Sequence, residues 1–319
     1  MAAKRMKSLR IGYGVFIEES LLPPIRKGWV LVRTISAAWD GVEEAEAAGL
    51  IWVKPGRVPG IQGYGVVVEL GVGAPSWLAG KRVVIARLPR YEEVEALGLG
   101  LWALVDGIGP LPGTAYDGWL SEYVSLPSSS LEPIDTSLPA EYASIATTAA
   151  IARAAAGMMV ERGDRLAIVG AGPSALLAGI AMERMGVFYE VFSSSMAWAE
   201  VAKKLGVEVK RLGEIRVEKG RGYDAVFLAT LDHEEAVLAA DMISPGGLLV
   251  LHPIYSYVEP PRTRKGCIKL IREFPVQAGL VLLSSIKDSL AELVEVVEGL
   301  VKPPVPRPKP FISYLLSSL

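Results

Sequence analysis

Up to about Tyr142, apolar residues come in short runs broken by glycine and proline, among them "WVLVRTIS", "GVVVEL", "KRVVIARL" and "SEYVSL". Runs of this length, rich in β-branched residues and closed by turn formers, predict strands. Together they predict a partly open, mainly antiparallel, barrel-like domain. The pattern then changes. Glu141–Met159, Ala-rich throughout, predicts a helix leading into a second region. From Gly163 onward strand patterns alternate with helical ones: "RLAIVG" with "PSALLAGIAMERMG", "FYEVFS" with "MAWAEVAKKLG", and "YDAVFLAT" with "DHEEAVLAADMI". "GLLVLH" follows, and then "VQAGLVLL" as a strand with "KDSLAELVEVVEGL" as its helix. Alternation of this kind predicts βα units and a doubly wound parallel sheet, an α/β fold. Asp232 with Glu235 three residues later predicts a capping box at one helix start.

These patterns divide the chain into a mainly β domain, 1–141, and a parallel-sheet domain, 142–302. The proline-rich "KPPVPRPKP", Lys302–Pro310, is unsuited to helix or central strand. It predicts an extended crossing, with the tail 303–319 docking back on the first domain.

Composition narrows the function classes. With 51% hydrophobic and 21% charged residues, the 319-residue chain is globular rather than disordered. A net charge of −2 gives no electrostatic case for nucleic acid or an anionic membrane. The basic N-terminus has no apolar run of signal-peptide length behind it. The long uncharged run Leu166–Met182 is interrupted by two glycines and a proline, so it predicts strand, turn and helix rather than a membrane span. A soluble, cytoplasmic protein is expected. One cysteine, Cys267, excludes an internal disulfide and a multi-cysteine zinc site. The absence of asparagine, with two glutamines, suggests selection at high temperature.

"AIVGAGPSALLAG" follows a predicted strand and opens a predicted helix, the context that a dinucleotide fingerprint requires. Gly170 permits the tight turn, Gly172 lets the backbone approach a pyrophosphate, and Ala175 is the small third position. With Pro173 and Ser174, these residues place helix N–H groups against the phosphates. The second strand ends at Ser193, Ser194 and Ser195, where an NAD-preferring fold carries an acid for the ribose 2′-hydroxyl. Serines can hydrogen-bond a 2′-phosphate that a carboxylate would repel. NADP(H) is therefore expected over NAD(H).

The whole chain resembles the medium-chain dehydrogenase/reductase superfamily, the zinc alcohol dehydrogenase and quinone reductase relatives. The resemblance is carried, in order, by "PPIRKGWVLVRTISAAWDG", "VPGIQGYGVVVELG", "GKRVV", "YDGWLSEYVSLP", "ERGDRLAIVGAGPSALLAG" and "SPGGLLVL". It implies a GroES-like N-terminal domain, a Rossmann-type coenzyme domain, and a homodimer or homotetramer. Zinc members place a cysteine where this chain has Ala37, and a His-Glu pair where it has Ile61 and Gln62. The third ligand would fall near Thr147–Ala150, which has no Cys, His or carboxylate, and the four-cysteine lobe would lie between Arg87 and Tyr116, which has no cysteine. A zinc-free member is expected, since without the dication a buried thiolate or glutamate would be an unpaired anion.

Hydride transfer without a Lewis acid suits a substrate that is already electrophilic, such as a small apolar carbonyl, enone or quinone. Trp39, Asp40 and Gln62, with His252 at a strand's carboxyl end, are the candidates to line a pocket between the domains. A non-catalytic dinucleotide-binding protein descended from a dehydrogenase is the rival reading.

Overall fold

The apolar runs of the first half become strands of a mixed sheet. The computed structural model describes residues 4–94, 110–215, 222–304 and 307–316. It forms two units, one of Met1–Thr147, Ser256–Val258 and Leu293–Leu319, the other of Thr148–Tyr255 and Glu259–Glu292. In the first, β1 (Arg5–Gly12) and β2 (Gly14–Leu21) make an antiparallel hairpin. Next come β3 (Trp29–Trp39), β4 (Gly63–Leu70), β5 (Arg82–Ile85), β6 (Tyr123–Pro127) and β7 (Leu131–Pro133). β3 pairs antiparallel with β4 on one edge and with β6 on the other. Every β3 residue but Arg33 is buried, so it reads as a continuous apolar run rather than an alternating one.

In the second unit the sheet has six strands: β8 (Leu166–Val169), β9 (Glu190–Ser193), β10 (Val209–Arg211), β11 (Tyr223–Leu228), β12 (Ile243–Leu251) and β13 (Cys267–Leu270). All pair in parallel, in the order β10-β9-β8-β11-β12-β13. Counted from β8 this is the 3-2-1-4-5-6 winding of a Rossmann-type sheet. The fold is α/β, with a GroES-like sheet unit and a doubly wound parallel one.

Three expected elements differ. "VQAGLVLL" lies in a helix, Val276–Ser285, not a strand. Its buried positions Val276, Gly279, Leu280 and Leu283 follow the helical period, and Pro275 starts it. The sixth strand is instead the short β13, whose Ile268 is exposed and so gives little pattern. "LVEVVEGL" was expected as helix, yet Val294–Glu298 is strand β14. Its valines pair in parallel with β15 (Phe311–Leu315), which in turn pairs antiparallel with Ser36–Trp39 of β3. Tertiary pairing overrides local helix propensity there.

For the same reason the C-terminal return to the first unit begins at Leu293, before the expected 303. Arg307, buried, pairs with Glu44 and donates to the Pro310 carbonyl. Residues 305, 306 and 317–319 of the predicted tail lie outside the described residues. The first unit also keeps residues 142–147, because Ser144 Oγ meets Ser313 Oγ at 3.1 Å and Thr147 Oγ1 donates to Ile85 O at 2.8 Å. Among the described residues, no helix is long and apolar enough to cross a membrane.

The glycine frame of "VPGIQGYG" answers to packing. Gly60 has φ +112°, and a Cβ there would lie 2.8 Å from the Trp119 and Leu120 nitrogens. Those nitrogens hydrogen-bond the Gly60 and Pro59 carbonyls at 3.0 Å. A Cβ on Gly63 would lie 2.6 Å from the buried Trp119 ring. The turn and Trp119 fill one another's space. Gly60→Ala is therefore expected to cost roughly 2–4 kcal/mol, through left-handed strain and overpacking together. Urea unfolding of the variant checks it, with a smaller loss expected for Gly73→Ala, which shares the left-handed strain (φ +82°) but where a Cβ meets nothing within 4 Å.

Candidate functional site

Asp40 follows β3 and caps the helix Gly41–Ala47. Its Oδ1 accepts from Val42 N at 2.9 Å, and Glu43 Oε2 accepts from Asp40 N at 2.8 Å, completing a capping box. The second Glu43 oxygen accepts from Ile61 N at 2.9 Å. Gln62 Nε2 then donates to Asp40 Oδ2 at 2.9 Å. Strand register brings Ala37 opposite Gly63. Ala37, Trp39, Asp40, Ile61 and Gln62 thus gather in one buried cluster.

That cluster does not fit a tetrahedral zinc site. Zinc needs several N, S or O donors, but Ala37 and Ile61 offer hydrocarbon and the Asp40 carboxylate is held by Gln62 and Val42. Near the expected third ligand, the Thr147 hydroxyl is spent on Ile85 O. Among the described residues no group of three or more His, Cys, Asp or Glu could hold a metal ion. Residues 95–109, within the stretch where a four-cysteine lobe is expected, lie outside the described residues.

In the second unit, β8 runs into Gly170, at φ +114°, whose N–H donates to Phe192 O at 2.8 Å. A Cβ on Gly170 would lie 2.9 Å from Ala229 O, so glycine is required for the close approach of β8 to β11. Gly172 is the N-cap of the helix Pro173–Met185 and makes no side-chain cap bond. A Cβ on Gly172 would meet nothing within 4 Å, leaving its backbone open to a ligand. Ala175 is fully buried against the sheet. A turn open at Gly172 with uncapped helix N–H groups fits the pyrophosphate of a dinucleotide.

Comparison with known proteins agrees with this geometry. Residues 26–136 match the alcohol dehydrogenase GroES-like domain. An L-threonine 3-dehydrogenase of Pyrococcus horikoshii is 27% identical over 205 residues, 62% of this chain and 58% of that protein. The matched stretch therefore spans little more than half of that relative's length. An alcohol dehydrogenase of E. coli CFT073, solved with NADH, superposes with a TM-score of 0.70 at 19% identity, over 98% of this chain and 99% of that one. A dehydrogenase of Sinorhizobium meliloti 1021 bound to NADP gives 0.66 at 16% identity, over 98% and 99%. Residues 26–136 are thus an alcohol dehydrogenase GroES-like domain, and the chain as a whole has the fold of these dehydrogenases.

The structure changes the meaning of several predicted residues. Ser193 is buried, and its hydroxyl donates to Glu235 Oε1 at 2.9 Å. Ser194 donates to the same oxygen through its amide and through its hydroxyl, the latter at 2.9 Å. Ser195 N donates back to Ser193 Oγ at 3.1 Å. The serines are therefore not open donors awaiting a phosphate, because a carboxylate from another element has taken them. The expected capping box is also half made. Asp232 Oδ1 accepts from Glu235 N at 2.9 Å, but the Glu235 side chain turns to the serines. Thr230 Oγ1 accepts the Asp232 amide instead, at 3.1 Å.

His252, at the end of β12 in the second unit, is buried, and Nδ1 accepts from Ile254 N at 3.2 Å. Burial pushes it down from its ordinary 6.5 to about 3. It is a neutral imidazole carrying its proton on Nε2. The unfolded chain protonates it below about 6.5 and the folded chain not until about 3, so its contribution to stability is lost as pH falls through that window. Imidazole nitrogen NMR is expected to show His252 as the neutral Nε2–H tautomer throughout pH 5–8.

Glu43 and Glu46 were missed by the sequence reading, although the Asp40-x-x-Glu43 spacing carries a capping-box signal. Burial, then the nearby Asp40 and Glu46 charges, raise Glu43 well above the usual carboxylate range, against hydrogen bonds from the Ile61 and Asp40 amides. Burial, then Asp40, raise Glu46 likewise, with Arg57 opposing. Neither Glu46 oxygen has a hydrogen-bond partner among the described residues, and an unpaired buried carboxyl avoids its desolvation cost by staying protonated. A raised folded pKa stabilises fully below the unfolded value near 4.5 and loses that contribution as pH rises through the folded one. Thermal melts from pH 5 to 9 are thus expected to show Glu46→Gln gaining on the wild type as pH rises. A constant gap would contradict a protonated Glu46.

Proposed function

We propose that this chain is a zinc-independent, nicotinamide-dinucleotide-linked oxidoreductase that transfers hydride to a small apolar carbonyl, enone or quinone. The observation that carries it is the cluster at the end of β3. Where zinc relatives need ligands there are two apolar side chains, and the neighbouring carboxylate is held by a neutral amide. The dinucleotide-bound structural neighbours and the open turn at Gly172 support the cofactor.

When bound, the nicotinamide supplies the hydride. The chain's own residues bind and orient: Gly170 to Ala175 and the uncapped first turn behind them would hold the pyrophosphate. With no Lewis acid and a neutral His252, activation is left to substrates whose own carbonyl conjugation makes them electrophilic. The sequence-based preference for NADP(H) loses its support once Ser193 and Ser194 are bonded to Glu235.

A panel of quinones and enones, followed by nicotinamide absorbance with NADH and NADPH, tests the reading. Turnover that survives chelator treatment, in protein with far less than one zinc per chain, is expected. Stoichiometric zinc, or activity abolished by chelation, would overturn zinc independence. Tight dinucleotide binding without any turnover would favour a non-catalytic dinucleotide-binding protein.

A further inference from the structure

We infer that Glu235 supplies, from a different element, the carboxylate that β9 lacks, and that it selects NAD(H) over NADP(H). The inference rests on the reading that Gly170 to Ala175 binds a dinucleotide.

In a doubly wound sheet the adenosine ribose lies beyond the end of the second strand, about 20 residues past the glycines, and an acid there hydrogen-bonds the 2′-hydroxyl. β9 is that strand by its place in the winding, and it ends on Ser193. Glu235 stands in the first turn of the helix His233–Met242, after β11, and reaches this strand end. Its burial, with 2% of its surface exposed, comes with three donors on Oε1: two hydroxyls and one amide. Donors converging in this way suit an anion. Among the described residues no donor is seated on Oε2, which leaves an acceptor for a ribose hydroxyl.

The serines point the same way. A serine has one hydroxyl proton, and those of Ser193 and Ser194 are already given to Glu235. A 2′-phosphate would meet a carboxylate in place of those two donors. Arg211 is the competing feature: it is exposed and stands opposite Ser193 in the β9–β10 register, where a cation could answer a 2′-phosphate. Its place on the solvent side of a short edge strand, against a buried carboxylate already fixed by three bonds, favours Glu235 as the determinant.

Titration calorimetry with NADH and with NADPH tests this on the wild type, Glu235→Gln and Arg211→Ala, each first checked for a cooperative melt. The wild type is expected to bind NADH more tightly by about tenfold or more, as like-charge repulsion at the ribose implies. Glu235→Gln is expected to narrow that ratio several-fold, mainly by strengthening NADPH, and Arg211→Ala to leave it unchanged. Wild-type affinity equal or greater for NADPH overturns the inference even if Glu235→Gln fails to fold. So does a ratio that Glu235→Gln leaves intact, or one that Arg211→Ala moves toward NADH. If neither nucleotide binds, the dinucleotide reading itself falls, a result distinct from binding with the opposite preference.

Discussion

β3 has hydrogen-bonding partners along both edges, and the first unit is organised by that constraint. β4 lies on one side, and β6 and β15 share the other end to end. A strand closed on both edges and both faces is buried almost throughout, as Trp29–Trp39 is at every residue but Arg33. Its far end carries Ala37 to Trp39 and leads into Asp40, so the buried cluster is anchored to a strand paired on both edges. The same pairing draws residues from the end of the chain back to its beginning and turns a valine-rich segment into β14.

Charge is the second theme. The end of β3 and the helix after it bury three carboxyl groups, Asp40, Glu43 and Glu46. The chain accommodates them by two means. Asp40 and Glu43 receive backbone and amide donors, and burial raises the pKa both of Glu43 and of Glu46, whose oxygens have no hydrogen-bond partner among the described residues. Burying a charge without a partner costs several kcal/mol, roughly, so a protein with no metal there must neutralise or solvate each group from within. Gln62 does so for Asp40 by offering an N–H where a glutamate would have offered another negative charge.

The second unit shows the same economy at β9. Glu235 has two uses within reach, closing a capping box on Asp232 or binding the serines. Thr230 takes over the first task, and the carboxylate is released to the second. A strand end that looks neutral in sequence is therefore acidic in space.

Much was determined by the sequence itself. The doubly wound parallel sheet followed from alternating patterns, the glycine turn from Gly170 and Gly172, and the hydrocarbon side chains beside Asp40 and Gln62 from Ala37 and Ile61. These are local properties, because turn geometry, periodicity and donor chemistry are written in neighbouring residues. Tertiary structure alone decided the rest: that "VQAGLVLL" coils, that Val294–Glu298 extends, that His252 is neutral, and that Glu235 faces Ser193. Val294–Glu298 and Glu235 depend on partners far away in the chain, and His252 on burial by the surrounding fold. A segment with two adequate local conformations, or a side chain with two adequate partners, is settled by whichever long-range contact the fold brings near.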